Sequence, residues 1–142
     1  MKNFILTFAL TALVAFGANA QNVKGDWYVG TGDIADVAWT DLSISPTVGY
    51  GLTDALQVGF GINQVESEDI NLDIFARYFV NVGEENFFVY AGMSDFDFAT
   101  DFQLGIGKMF TFYNDALFVD PKLIYDTGDK TTNLTLGFGL KF

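Results

Sequence analysis

Apolar and polar positions alternate with a period of two along nearly the whole chain after its first twenty residues. From Thr132 the sequence reads "TNLTLGFGLKF". It puts Leu134, Leu136, Phe138, Leu140 and Phe142 on one side and Asn133, Thr135, Gly137, Gly139 and Lys141 on the other. "INLDIFARYFVN" sets Ile70, Leu72, Ile74, Ala76, Tyr78 and Val80 against Asn71, Asp73, Phe75, Arg77, Phe79 and Asn81. "LFVDPKLIYD" sets Leu117, Val119, Pro121, Leu123 and Tyr125 against Phe118, Asp120, Lys122, Ile124 and Asp126. This period predicts eight strands, over 26–32, 42–52, 56–65, 70–81, 86–94, 101–112, 116–126 and 132–142, with breaks at Asp, Asn, Gly and Glu.

One side of these strands is continuously apolar, and the other is small, polar or charged. A soluble sandwich also alternates, so three further features decide the expectation. The strands approach the ~9–11 residues that cross a membrane at a tilt. The polar side carries glycines rather than the Lys and Glu of a solvated surface. The connections at 53–55, 82–85 and 113–115 are short, whereas those at 33–41, 66–69, 95–100 and 127–131 are longer or more charged. Short turns on one side and longer loops on the other belong to outer-membrane barrels. The expected fold is all-β, an eight-stranded antiparallel up-and-down transmembrane β-barrel. Closure leaves no strand edge to lipid, and both termini are expected on the periplasmic side.

The first twenty residues differ. Met1, Lys2 and Asn3 lead into an apolar stretch over 4–16 and then Ala18-Asn19-Ala20, the arrangement of a cleaved secretory signal peptide. The expected organisation is a signal peptide over 1–20 and one barrel domain over 21–142.

Composition narrows the chemistry. The chain has 142 residues, a formal charge of −11, half its residues hydrophobic and 17% aromatic. So acidic a chain lacks the basic face that nucleic acid requires. There is no Cys, so no disulfide holds the exported fold. There is no His, the commonest general base and metal ligand. Zinc sites built on His or Cys, and Ser-His or Cys-His catalysis, have no residues to use. No enzymatic activity and no cofactor are expected.

With its signal peptide, eight alternating strands and final "LGFGLKF" ending at Phe142, the chain resembles the small OmpA/OmpX-type outer-membrane β-barrels. "SPTVGYGLTDALQVGFG" and "FVDPKLIYD" are similar to hairpins of the wider outer-membrane barrel family. The resemblance implies a bacterial outer-membrane location, contact with outer-membrane lipid and lipopolysaccharide, and a monomer. It also implies that Phe142 is the signal read by the barrel-assembly machinery. Such a family holds pores, adhesins and proteins of other roles, so fold does not decide function.

Candidate chemistry falls in two places. The inward ionisable residues are Asp73, Arg77, Asp120, Lys122 and Lys141. Charges in a tight interior require partners, and cross-lumen pairs of Arg77 with Asp120 and of Lys122 with Asp73 are expected. At the far rim the pattern gathers Asp33, Asp36, Asp41, Glu66, Glu68, Asp69, Asp95, Asp97, Asp101, Asp126 and Asp129. Among these, Asp95, Asp97 and Asp101 are candidate ligands for a hard cation, although they lack the glycine and terminal Glu of an EF-hand loop. The recurring inward glycines are expected to relieve crowding in a small, strongly curved barrel.

Two details oppose the pattern. Strict parity puts Lys108 on the apolar face, so either snorkelling or a bulge is expected there. Pro46 and Pro121 fall inside strands, where bulges are expected to absorb them. The leading functional expectation is a structural or surface-interaction role through acidic outer loops, with the lumen plugged by side chains. A narrow gated channel for ions or small solutes is the second. A soluble lipocalin-like ligand-binding barrel, with the faces inverted, is the third.

Overall fold

A computed structural model describes residues 23–31, 34–35, 46–64, 70–82, 85–93 and 102–142. Nine β-segments lie along these residues: β1 Trp27–Gly30, β2 Ile34–Ala35, β3 Thr47–Gly51, β4 Leu56–Gln64, β5 Ile70–Val82, β6 Glu85–Met93, β7 Phe102–Phe112, β8 Leu117–Asp126 and β9 Thr132–Lys141. No helix occurs among the described residues. Every pairing is antiparallel, and β1 pairs with both β3 and β9, so the sheet closes on itself.

The barrel has eight strands because β1 and β2 are two parts of one. Both pair with β9, Tyr28 with Lys141 and Ile34 with Leu136. Between Gly30 and Ile34 the register advances by one residue relative to β9, as at a β-bulge. Pairing partners followed round the wall run from Tyr28 through Gly49, Gly59, Phe75, Gly92 and Gln103 to Asp126. Followed the other way, from Tyr28 through Lys141, the path reaches Ala116, roughly ten residues from Asp126 along the same strand, the kind of stagger that tilts barrel strands by about 40°. Eight strands so tilted leave an interior just wide enough for side chains.

Closure reaches the last residue. The Trp27 N–H donates to the Phe142 carbonyl at 2.7 Å, and the Phe142 N–H donates back to Trp27 at 3.0 Å. The final strand therefore carries its ladder to the chain end instead of fraying.

The prolines leave the register intact. Pro46 stands just before β3, and its carbonyl accepts from Ile62 at 3.0 Å. Pro121 sits inside β8, paired with Leu136 on the β9 side. Toward β7 the ladder stops at Gly107–Lys122 and resumes in the same register at Phe110–Val119. A missing donor interrupts the ladder, but the expected bulge is absent from these two strands.

Turns are locally encoded. In the β3–β4 turn, Thr53 Oγ1 accepts from the N–H groups of Ala55 and Leu56. The β7–β8 turn places Tyr113, Asn114 and Asp115 at φ of 51°, 55° and 64°, a run that L-residues adopt only at a cost. The Thr111 hydroxyl helps to hold it by donating to Asp115 at 2.6 Å. The signal-peptide expectation, and the part of the second predicted strand over 42–45, lie outside the described residues.

Candidate functional site

Alternation sorts each strand into two surfaces. The outer surface carries the aliphatic and aromatic residues, and they are exposed: Ile106 at 60% and Leu134 at 72%. The inner surface carries the charges, and they are buried: Asp120 at 0% and Lys122 at 2%. This inverts the polarity of a soluble domain.

Large rings pack the interior against glycines. A side chain added at Gly59 or Gly107 would collide with Phe75 or Phe88, and one added at Gly30 would press on Phe118. Phe75, Phe79, Phe88, Tyr90, Met109, Phe118, Ile124 and Tyr28 form one buried cluster. Phe75 stacks on Tyr90 with centroids 6.0 Å apart, and Phe79 tilts against Phe88 at 5.6 Å.

The charged residues are set among these rings. The Arg77 guanidinium lies 5.1 Å from the centroids of both Phe75 and Phe88. Its Nη1 forms an ion pair with Asp120 Oδ2 at 2.7 Å. The Lys122 ammonium stands over Tyr90 at 5.3 Å and lies 3.9 Å from the same Asp120 oxygen. One carboxylate is thus shared by two cations, held by β5 and β8. The structure brings together Arg77 and Asp120, the first of the two expected pairs. Asp120 is also one of the neighbours of Lys122, the cation expected to pair with Asp73. Asp73 stands further along β5, opposite Gly61 and half-buried. Lys141 lies near the barrel mouth, its ammonium 3.1 Å from Asp26.

Gln57 lies on the inward side of β4. It is paired in register with Arg77 and is 1% exposed, and neither amide atom has a hydrogen-bond partner. Its amide fills the space that a side chain on Gly49 would need. Inward parity marks it in the sequence, but lack of a partner is a property of packing alone.

At the mouth near the short turns, Tyr28, Phe79, Asn86, Met109, Thr111, Asp115 and Lys141 enclose a cavity of about 10 Å³. That is room for about one water molecule.

The expected cation site fares differently. Asp95, Asp97 and Asp101 lie outside the described residues, as do most of the rim acids. Asp126 is described and is occupied in building its turn. Its Oδ1 accepts from Gly128 at 2.8 Å and Asp129 at 3.2 Å, and its Oδ2 accepts from the Gln103 amide at 3.1 Å. No cluster of acidic residues suited to a metal occurs among the described residues.

Lys108 follows strict parity and faces outward, opposite Phe87. It snorkels to Glu85, at 3.0 Å, rather than turning inward. Its partner escaped the sequence reading because it stands on the neighbouring strand, and that contact depends on register.

These features define a closed antiparallel β-barrel with an apolar exterior and an interior packed with rings and charged side chains. No protein-family model, curated protein or solved structure matches the chain. The likeness to OmpA/OmpX-type barrels rests on the sequence pattern.

Proposed function

We propose that the chain is a small integral barrel of a bacterial outer membrane, with a structural or surface-interaction role and a lumen sealed by its own side chains. The observation that carries this reading is the inverted polarity of a closed wall. Water around the barrel would face exposed Phe, Leu and Ile on strand after strand, while Asp120 and Lys122 lie dry within. Monomeric soluble proteins rarely expose contiguous apolar patches above a few hundred Å². A hydrocarbon surround makes the same face favourable, and closure satisfies the backbone groups that lipid cannot.

Aromatic residues near the strand ends support the reading. Trp27, Tyr113 and Phe142 lie toward the short-turn end, and Tyr125 toward the other, where amphipathic rings suit a membrane interface. The interior supports a sealed state over an open one. Rings pressed on glycines, with Asp120 bridged to Arg77, occupy the section that solute would have to cross.

The test is gel migration of the outer-membrane fraction, boiled against unboiled. A faster unboiled band in that fraction is expected from a compact, detergent-resistant barrel. A soluble protein without a shift would overturn the reading and favour a ligand-binding barrel in water. Planar bilayers containing the folded protein should stay silent, and reproducible unitary currents would replace the sealed reading with the channel.

A further inference from the structure

Among the described strand residues, only Glu85 and Lys108 put charge on the apolar outer face, and they do so together. The Lys108 ammonium lies 3.0 Å from Glu85, 4.7 Å from the Phe110 ring centroid and 5.3 Å from that of Phe87. Glu85 is exposed and Lys108 is partly covered. Directly behind them the β7–β8 ladder is interrupted opposite Pro121. Glu85 opens β6, and Lys108 stands four residues before the end of β7, so both lie near the short-turn end. A lysine costs ~2–4 kcal/mol at the bilayer midplane and little near the interface. The pair therefore suits the level of lipid headgroups.

Resting on the membrane reading above, we propose that Glu85, Phe87, Lys108 and Phe110 form a binding site for a phosphoethanolamine phospholipid in the leaflet at the short-turn end. The charges match in complementary order. The Lys108 ammonium takes the phosphate, and the Glu85 carboxylate takes the ethanolamine ammonium. The Phe87 and Phe110 rings, both exposed, flank the glycerol and the first methylenes. Phosphatidylglycerol carries a neutral glycerol in place of the ammonium, so its net negative charge meets Glu85 with no cation to offset it, and this site disfavours that lipid. A choline headgroup satisfies the phosphate contact but cannot donate a hydrogen bond to Glu85.

The experiment uses the folded protein in nanodiscs of phosphatidylcholine containing a minority of phosphatidylethanolamine or phosphatidylglycerol. Native mass spectrometry after transfer to detergent reads the lipid retained. Retention of phosphatidylethanolamine over both other lipids is expected. Lys108→Met should lower it about tenfold, the loss of one charge-assisted contact. Glu85→Gln should shift preference toward phosphatidylglycerol, and Lys108→Arg should retain the ethanolamine lipid. Equal retention by wild type and Lys108→Met would overturn the site. Displacement by millimolar inorganic phosphate would overturn the lipid headgroup as its occupant. The unboiled gel shift, measured on each sample, separates the two levels. A shifted band without selective retention sinks only this site, whereas a protein that never enters the nanodisc sinks the membrane reading itself.

Discussion

Phe118 lies across Gly139, its Cζ 2.8 Å from where a side chain on that glycine would begin. The same ring atom stands 3.2 Å from the corresponding point on Gly30, on the other side of the β1–β9 closure. One aromatic ring of β8 thus covers the seam where the barrel closes. The space above these two glycines is already taken by Phe118.

Gly139→Ala is therefore expected to destabilise the folded barrel by about 1–3 kcal/mol, the range of overpacking. The added carbon would run into the Val29 carbonyl as well as Phe118. Gly61→Ala should cost less, because its nearest neighbour is the Thr47 methyl at 3.0 Å. Denaturant midpoints of the refolded protein rank the two variants. The reverse order would mean that the seam relaxes more readily than the side chain of Thr47.

The charged centre is expected to respond unequally to its two halves. Asp120→Asn removes the shared counter-charge of two cations. Arg77→Met leaves Asp120 with Lys122 still 3.9 Å away. Breaking a buried pair costs about 3–5 kcal/mol. Asp120→Asn should lie at or above the top of that range, and Arg77→Met toward the bottom. Unfolding free energies measured in one detergent decide it, and equal losses would refute the shared-carboxylate arrangement.

Gln57→Leu should raise stability by about 1 kcal/mol. The substitution removes two buried amide atoms that have no partner, each a desolvation cost without return. A lower denaturant midpoint for Gln57→Leu would show that the amide gains an interaction in solution.

Removal of Phe142 deletes both hydrogen bonds that fasten the chain end to Trp27. On the proposed outer-membrane reading, the truncated protein should insert poorly, while removal of the expected signal peptide should change little. Fractionation and gel mobility measure the two steps separately. Normal insertion would remove Phe142 from the proposed assembly role.

Much of this architecture was legible because alternation is a strong signal. The inward parity of Arg77 and Asp120 places both residues in one interior from the sequence alone, and the alternation of the final strand marks its length. The one-residue shift of register between Gly30 and Ile34 was not legible, because parity is read along one strand and the shift exists only relative to β9. Nor was the continuity of β8 through Pro121. A proline in a strand either bends the chain or simply omits one hydrogen bond, and only the register on both sides distinguishes these. The partner of Lys108 required the relative stagger of β6 and β7, which parity leaves free. Asp126 shows a further limit: composition marks an acid at a rim, while local hydrogen bonding decides whether its oxygens are free for a ligand.

The reciprocal hydrogen bonds between Trp27 and Phe142 also make the sheet a ring with no privileged starting strand. A short linker from Phe142 back to Val23 could carry the chain across that junction, and new ends could then be opened in the exposed turn at Thr127–Asp129. Such a rearranged order of strands should rebuild the same wall. The place where the polypeptide is cut would then govern the order in which strands pair, while the finished barrel would be indifferent to it.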